Sequence, residues 1–519
     1  MSTTFWNQGE KEVIRGLDIL GYRQVDQDVE KEWVNGITTI SYRARYLSLV
    51  PWVVAEYYER HGLGSSESIA QPDYDELLAF HRRLELVILA CTRHTDRKSG
   101  CYTSGLIGPD IYVDEMAALE RGETITLDLT RGGASYGTYV TPCRSFGLLA
   151  YENLHGSWAP KLTPRTSALR ERRSAVAAGS RLAGIVLDGG SLHPRLIATE
   201  AKLFSTAALT NGECEPERQI LEDSLFRPEP TQDEGQYARF RQTVRLALTA
   251  ITRGLSGSSQ IIADAYTRAC RCGADSIDDV LLAWATYELH RRVHFALELL
   301  LNSVTSVVIE RDGATTDRVV AEWTTDDWPA ELEVYIKSQG FDWSMPFAQF
   351  IEHVLDEPFM AGPVDRSIGQ YMPSPGAKAL FALALLCATW RQTRLLRDSG
   401  RTLRGSQAGT YRAFPIIDKV AGESLAEAIR TLTDHCVVEA HLGTTLRKMA
   451  YGLKCSLRFF PDGQVLRPTG MKVIAGYSGD RLGNVIGMLE DLGFVIRDGH
   501  GLTPQGEKLL KSLGGGHAQ

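Results

Sequence analysis

The stretch VEKEWVNGITTISYRARYLSLVPWVVAEYYERHG, residues 29–62, places apolar and aromatic side chains on nearly every side of a helical wheel. A helix of that kind has no solvent face and has to lie inside a large core. The chain is long enough to build one. Its 519 residues exceed what a single ordinary core serves and imply two to four domains. With 43% hydrophobic and 23% charged residues the balance is that of a globular protein rather than a disordered or fibrous one. Pro51 sits inside the pattern, removes one helical hydrogen bond, and predicts a kink or a restart there.

The rest of the chain continues mainly in helical rhythm. A second helix is expected from Tyr74 to Cys91. From Gly122 to Pro142 the period changes: Ile125, Leu127 and Leu129 alternate, Gly132-Gly133 offers a turn, and Tyr136, Thr138 and Val140 follow, which predicts a small β-hairpin. The polar, proline-broken HGSWAPKLTPRTSALRERR, His155 to Arg173, reads as a linker. Helical period returns in YARFRQTVRLALTAITRGL and DDVLLAWATYELHRRVHFALELLLNSV, and in a helix from Ala377 to Arg397. The longest apolar run, Leu380 to Trp390, is too short for a membrane span and predicts a buried helix.

The end of the chain differs in kind. A long helix from about Ser424 to Tyr451 leads to KCSLRFFPDGQVLRPTG, where Pro461-Asp462-Gly463 marks a turn between β-prone runs. Ser478 or Asp480 caps the next helix, whose Leu482, Val485, Ile486, Leu489 and Leu492 share one face. Gly493 stands where a left-handed residue ends a helix, and FVIRD and LTP flank the tip Gly499-His500-Gly501 before a last helix near Pro504. Helix, strand, tip, strand, helix is the order of a winged helix. The expected fold is therefore mainly α, a multi-domain helical protein with a small β insertion and a C-terminal winged-helix domain. Its expected divisions are 1–155, 165–410 and 411–519.

Few residues point to catalysis. Asp188 followed by Glu200-Ala201-Lys202 has the residue types with which some nucleases hold magnesium. The helix formers around Thr199, itself a plausible N-cap, favour a plain helix instead. His290, His294 and Glu298 fall at i, i+4 and i+8, but Arg291 replaces the glutamate of a zinc protease and two arginines repel a cation, which favours a structural role. Neither a G-x-S-x-G elbow nor a G-x-x-x-x-G-K-[ST] loop occurs, and TRGGASYGTY lacks the lysine of a phosphate cradle. No catalytic residue, metal or cofactor is expected. Nine scattered cysteines without a C-x-x-C pair, and an N-terminus without an apolar core, predict reduced thiols in a cytoplasmic protein with no membrane contact.

Charge is the remaining signal. The net charge of −8 divides unevenly: His441 to Gln519 holds ten Lys/Arg against six Asp/Glu, so residues 1–440 carry −12. Arg391, Arg394, Arg397, Arg401 and Arg404 form one basic stripe if helix persists through Gly400, with a solvated face as the plainer reading. Arg447, Lys448, Lys454, Arg458, Arg467 and Lys472 form a second cluster opposed only by Asp462. These six are expected to hold phosphates, with Arg481 and Asn484 reaching into a groove and Arg497 and His500 touching from the wing. Glu490 and Asp491 on the same helix oppose such a contact.

Four segments taken together, TTISYRARYLSLVPWVVAEYYE, TSGLIGPDIY, HLGTTLRKMAYGLKCSLRFFPDG and LEDLGFVIRDGHGLTPQGEKLL, resemble a family of bacterial proteins of about this size associated with anti-phage defence loci, with R-A-R-Y…P-W near the start. The family has no assigned chemistry and supplies no catalytic residue. The resemblance implies a cytoplasmic bacterial protein working in a multi-gene system. Together with the charge it predicts a non-enzymatic nucleic-acid-binding or adaptor subunit, with DNA and other subunits of that system as partners. The alternatives are a metal-dependent nuclease built on Asp188, Glu200 and Lys202, and a protein-binding scaffold for a helicase or nuclease.

Overall fold

A computed structural model describes residues 18–63, 73–96, 105–154, 157–360, 362–364, 366–398, 412–451, 455–477 and 479–514. The chain is mainly helical, as its periodicity predicts, and among the described residues its short strands form two-stranded ladders. It divides into two compact units that interleave what the linear reading kept as three successive domains. Glu30–Ile261 joins Asp480–Gln519 in a flanking unit, and Met1–Val29 joins Ile262–Gly479 in a central unit.

In the flanking unit the helix Tyr46–Arg60 is buried on nearly all sides, as its sequence requires. Pro51 lies in its second turn, and the helix runs through it without the restart expected from sequence. Arg45, just ahead of this helix, is fully buried. It donates to both oxygens of Glu217 (3.3 and 3.1 Å) and to the carbonyls of Lys202 and Ser205 (2.7 and 2.6 Å). Arg173 donates to the same carboxylate at 2.7 Å, lies over the Trp52 ring, and donates to the Leu203 carbonyl. Burial alone opposes ionisation of Glu217, but the two guanidinium groups outweigh it and hold the carboxyl at about 2. The second arginine of R-A-R-Y thus closes a core.

The expected hairpin at 122–142 is not formed. Only Ile125–Thr126 is extended, paired with Ser191–Leu192, and Ala134–Ser145 is helical. Gly132 and Gly133 carry positive φ of 93° and 95°, which aims successive backbone N–H groups inward. The buried Glu85 carboxylate accepts from Gly133 N at 2.9 Å, Ser135 N at 2.5 Å and the Tyr112 hydroxyl at 2.9 Å. The glycine-rich stretch is an anion cradle whose anion is the protein's own. A hairpin of this unit pairs Ala150–Leu154 with Ser157–Lys161, the second strand lying within the stretch that reads as a linker. No boundary falls there: Thr163 caps the helix Pro164–Val176 with a full capping box, and the unit continues.

The central unit is organised by Asp279–Glu310, a 32-residue helix that packs along Pro375–Gln392. Among the described residues it is the one helix long and apolar enough to cross a membrane, yet it lies inside the unit and carries buried Glu288, Arg292, His294 and Glu298. Arg292 donates to Glu288 at 2.9 Å, and Glu298 lies 3.2 Å from His294 Nε2 and accepts from Arg23 at 3.3 Å and Gly476 N at 3.0 Å. His290 is fully buried, and desolvation lowers it to about 3, so it stays a neutral core side chain. The stretch VVIERDGATTDRVVAEW is the end of this helix followed by Thr316–Trp323.

Candidate nucleic-acid interface

The helix Leu425–Leu432 starts from a Ser424–Glu427 capping box and continues through one π-turn, Thr433–Val438, into Glu439–Ala450. A hairpin, Phe459–Asp462 with Val465–Pro468, is held to this helix by His441. The buried imidazole donates from Nδ1 to the Ile19 carbonyl at 2.9 Å and accepts the Arg458 backbone N–H on Nε2 at 3.0 Å. Its ring meets Phe459 edge-on at 5.1 Å. Desolvation lowers its pKa to about 4, so the neutral tautomer these two bonds require is the resting form. On the hairpin's other edge, Leu466 exchanges two backbone bonds with Ala314. The turn sits at Gly463-Gln464, one residue later than the Pro-Asp-Gly signal places it.

The basic residues around this joint divide into engaged and open groups. Lys448 is buried and donates to the Asp18 carbonyl, with its pKa lowered by desolvation. It is therefore a structural residue rather than a phosphate contact. Arg458 is half-buried, reaches Met471 Sδ at 3.5 Å, and is lowered by desolvation. Arg467 is exposed, pairs with Asp462 at 3.2 Å, and donates to the Asp312 carbonyl at 3.1 Å. Arg447 turns back to the Gly443 carbonyl at 3.2 Å and is half-exposed, and Lys472 is exposed. Lys454 lies outside the described residues. So do Arg401 and Arg404 of the upstream stripe, whose first member, Arg391, is spent on Asp356 and the carbonyls of Ile351 and Val354.

The proposed reading helix is turned inward. Arg481–Asp491 is capped by Asp480 and buries Leu482, Val485, Ile486, Met488 and Leu489 within the flanking unit. Arg481 pairs with Glu30 at 3.0 Å and donates to the Ile37 carbonyl, and Asn484, 7% exposed, donates to the Thr38 carbonyl. Asp491 accepts from Ala44 N at 2.9 Å and pairs with buried Arg43 at 3.0 Å. Neither Arg481 nor Asn484 is placed to enter a groove. The segment after Gly493 pairs through a single bridge, Val495 with Leu502, and its tip is a 3-10 turn, Arg497–Gly499. His500 is exposed there, whereas Arg497 is half-buried beside Asp491 and lines a cleft of about 610 Å³ with Arg218, Glu215 and Glu490.

Asp188, Glu200 and Lys202 do not converge. Asp188 ends the helix Arg181–Asp188 and pairs with Arg60, while Glu200 accepts from Ser180 Oγ and Leu182 N at that helix's start, about 10 Å away by helical rise. Thr199 lies inside the helix Pro194–Glu200, which His193 caps, so the stretch is helical although Thr199 is not its cap. Among the described residues no group of three or more His, Cys, Asp or Glu side chains is gathered as metal ligands would be.

What sequence reading missed is apolar. Leu446, Met449, Phe460, Met471 and Ile474 are 37–85% exposed within the same helix end, hairpin and following segment as the basic cluster. Reading Arg and Lys alone gave no reason to ask which apolar residues the hairpin leaves uncovered. Comparison with protein-family models, with curated proteins and with solved structures finds no match to this chain.

Proposed function

We propose that the chain is a non-enzymatic nucleic-acid-binding or adaptor subunit of a bacterial anti-phage defence system, acting through the helix end and hairpin of its central unit. Arg447, Arg458, Arg467 and Lys472 supply the positive charge. The observation that carries the reading is the coincidence of these residues with an uncovered apolar surface, on a chain whose net charge is −8. The defence context rests on the resemblance at both ends of the chain. The segment from Asp480 onward, expected as a winged helix, forms two helices joined through a single-bridge turn and serves here to complete a core, and the DNA contact is proposed upstream of it. The uncovered aliphatic side chains favour a second reading, in which the same surface docks a helicase or nuclease subunit.

Fluorescence anisotropy with labelled DNA tests the first reading. Replacing Arg447 and Lys472 together by Glu should weaken binding at least tenfold and flatten the salt dependence by roughly two phosphate contacts. Unchanged affinity and salt slope would remove this surface from the reading, and co-purification of a neighbouring subunit lost in the same variant would favour docking.

A further inference from the structure

From the side chains left uncovered in the central unit we infer that this surface takes single-stranded rather than duplex nucleic acid, with Phe460 and Tyr371 as stacking platforms. The inference rests on the nucleic-acid reading above and adds the form of the ligand.

The geometry runs along one short segment. Between Met471 and Ala475 the side chains alternate: Val473 and Ala475 are buried, whereas Lys472 and Ile474 face solvent. Two side-chain amides fix its backbone. Asn302 donates to the Val473 carbonyl at 2.5 Å and Gln370 donates to the Ala475 carbonyl. Lys378 in turn holds Asn302 at 3.1 Å. At one end Met471 meets Arg458, which leads into the strand bearing Phe460. Phe460 is paired directly across the hairpin with Arg467, so ring and guanidinium share the solvent face. At the other end Tyr371 follows Gln370 in the helix Arg366–Tyr371 and is 81% exposed. A fixed segment spanning at most about 14 Å therefore runs from the Arg458 contact, two residues before Phe460, to the Gln370 contact, next to Tyr371, and presents Lys472 and Ile474 to solvent.

A duplex offers phosphates to the lysine and arginines but leaves these rings and Ile474, 85% exposed, facing water. An unpaired strand offers base faces as well, and each base stacked on an aromatic ring contributes about 1–3 kcal/mol without regard to sequence. The helix expected to read a duplex has Arg481 and Asn484 bonded within its own unit. Arg467 is held by the Asp312 carbonyl and by an exposed pair with Asp462, and a phosphate can replace the exposed pair.

The test uses the full chain with fluorescein-labelled dT20, rU20 and a duplex of equal length. Either single strand should bind at least tenfold tighter than the duplex. Phe460→Ala and Tyr371→Ala should each weaken single-strand binding by a factor of about 5 to 150, the equivalent of one stacked base, and leave the salt slope unchanged. Lys472→Ala should lower that slope by about one. All three positions are exposed, and an unaltered circular dichroism melt verifies the fold. Equal binding of duplex and single strand, insensitive to both aromatic substitutions, overturns the inference while leaving a charge-based nucleic-acid reading intact. Binding to none of the three probes overturns both.

Discussion

Glu85 and Glu217 are the two carboxylates around which the flanking unit is built, and they are satisfied in different ways. Glu85 is held by backbone N–H groups that only a left-handed Gly-Gly pair presents, and a side chain at Gly132 would overlap the Tyr112 hydroxyl. Glu217 is held by two buried guanidinium groups and the Ser48 hydroxyl. Removing the charge of Glu217 leaves Arg45 and Arg173 buried without their counter-ion, which is far worse than losing an exposed pair. Glu217→Gln should therefore destabilise the protein by about 3–5 kcal/mol, read as a fall in the urea midpoint. Asp188→Asn, which breaks the exposed pair with Arg60, should change stability by about 1 kcal/mol or less. A comparable loss in both variants would refute the division of labour argued for them.

Among the elements, the hairpin at 459–468 depends on one titratable joint. His441 serves as donor and acceptor only while neutral, and burial lowers its pKa to about 4. A histidine lowered on folding adds stability that is complete above its unfolded value of about 6.5 and is lost as pH falls toward 4. Hydrogen exchange at the Arg458 amide should accordingly quicken, relative to its intrinsic rate, between pH 6.5 and 4.5, while His441→Gln should remove that dependence. Protection that is flat across this window would exclude the joint as the sensitive point.

How legible each element was follows from where its partners lie. The helix at Arg481–Asp491 could be read because its cap, apolar face and terminal glycine are all local. The hairpin expected at 122–142 misled because the Gly-Gly pair answers to Glu85, about fifty positions upstream, rather than to a turn. Likewise Lys448 and Arg481 looked available because Asp18 and Glu30, which engage them, stand 430 and 451 positions away. Charge along a sequence tells which groups exist, and only folding tells which are already engaged.

For the whole molecule, residues 480–514 are part of the flanking unit's core rather than an appended reader. Leu482, Val485, Ile486, Leu489, Leu492 and Phe494 are all buried there. At about 1.5–3 kcal/mol for each side chain, their loss is on the order of 10 kcal/mol, as large as the stability of an ordinary domain. A chain ending at Gly479 should thus lose amide protection across residues 30–261 while the central unit keeps it, as hydrogen-exchange mass spectrometry would report. Retained protection in both units would mean that the C-terminal helices are dispensable. This arrangement also sets a timetable for biosynthesis. About 220 residues separate Ile261 from Asp480, and at 5–20 residues per second a ribosome needs roughly 11–44 s to translate them. For that interval the nascent flanking unit lacks the Asp491, Arg481 and Asn484 that engage Arg43, Ile37 and Thr38, and it exposes the apolar surface that the final helices cover.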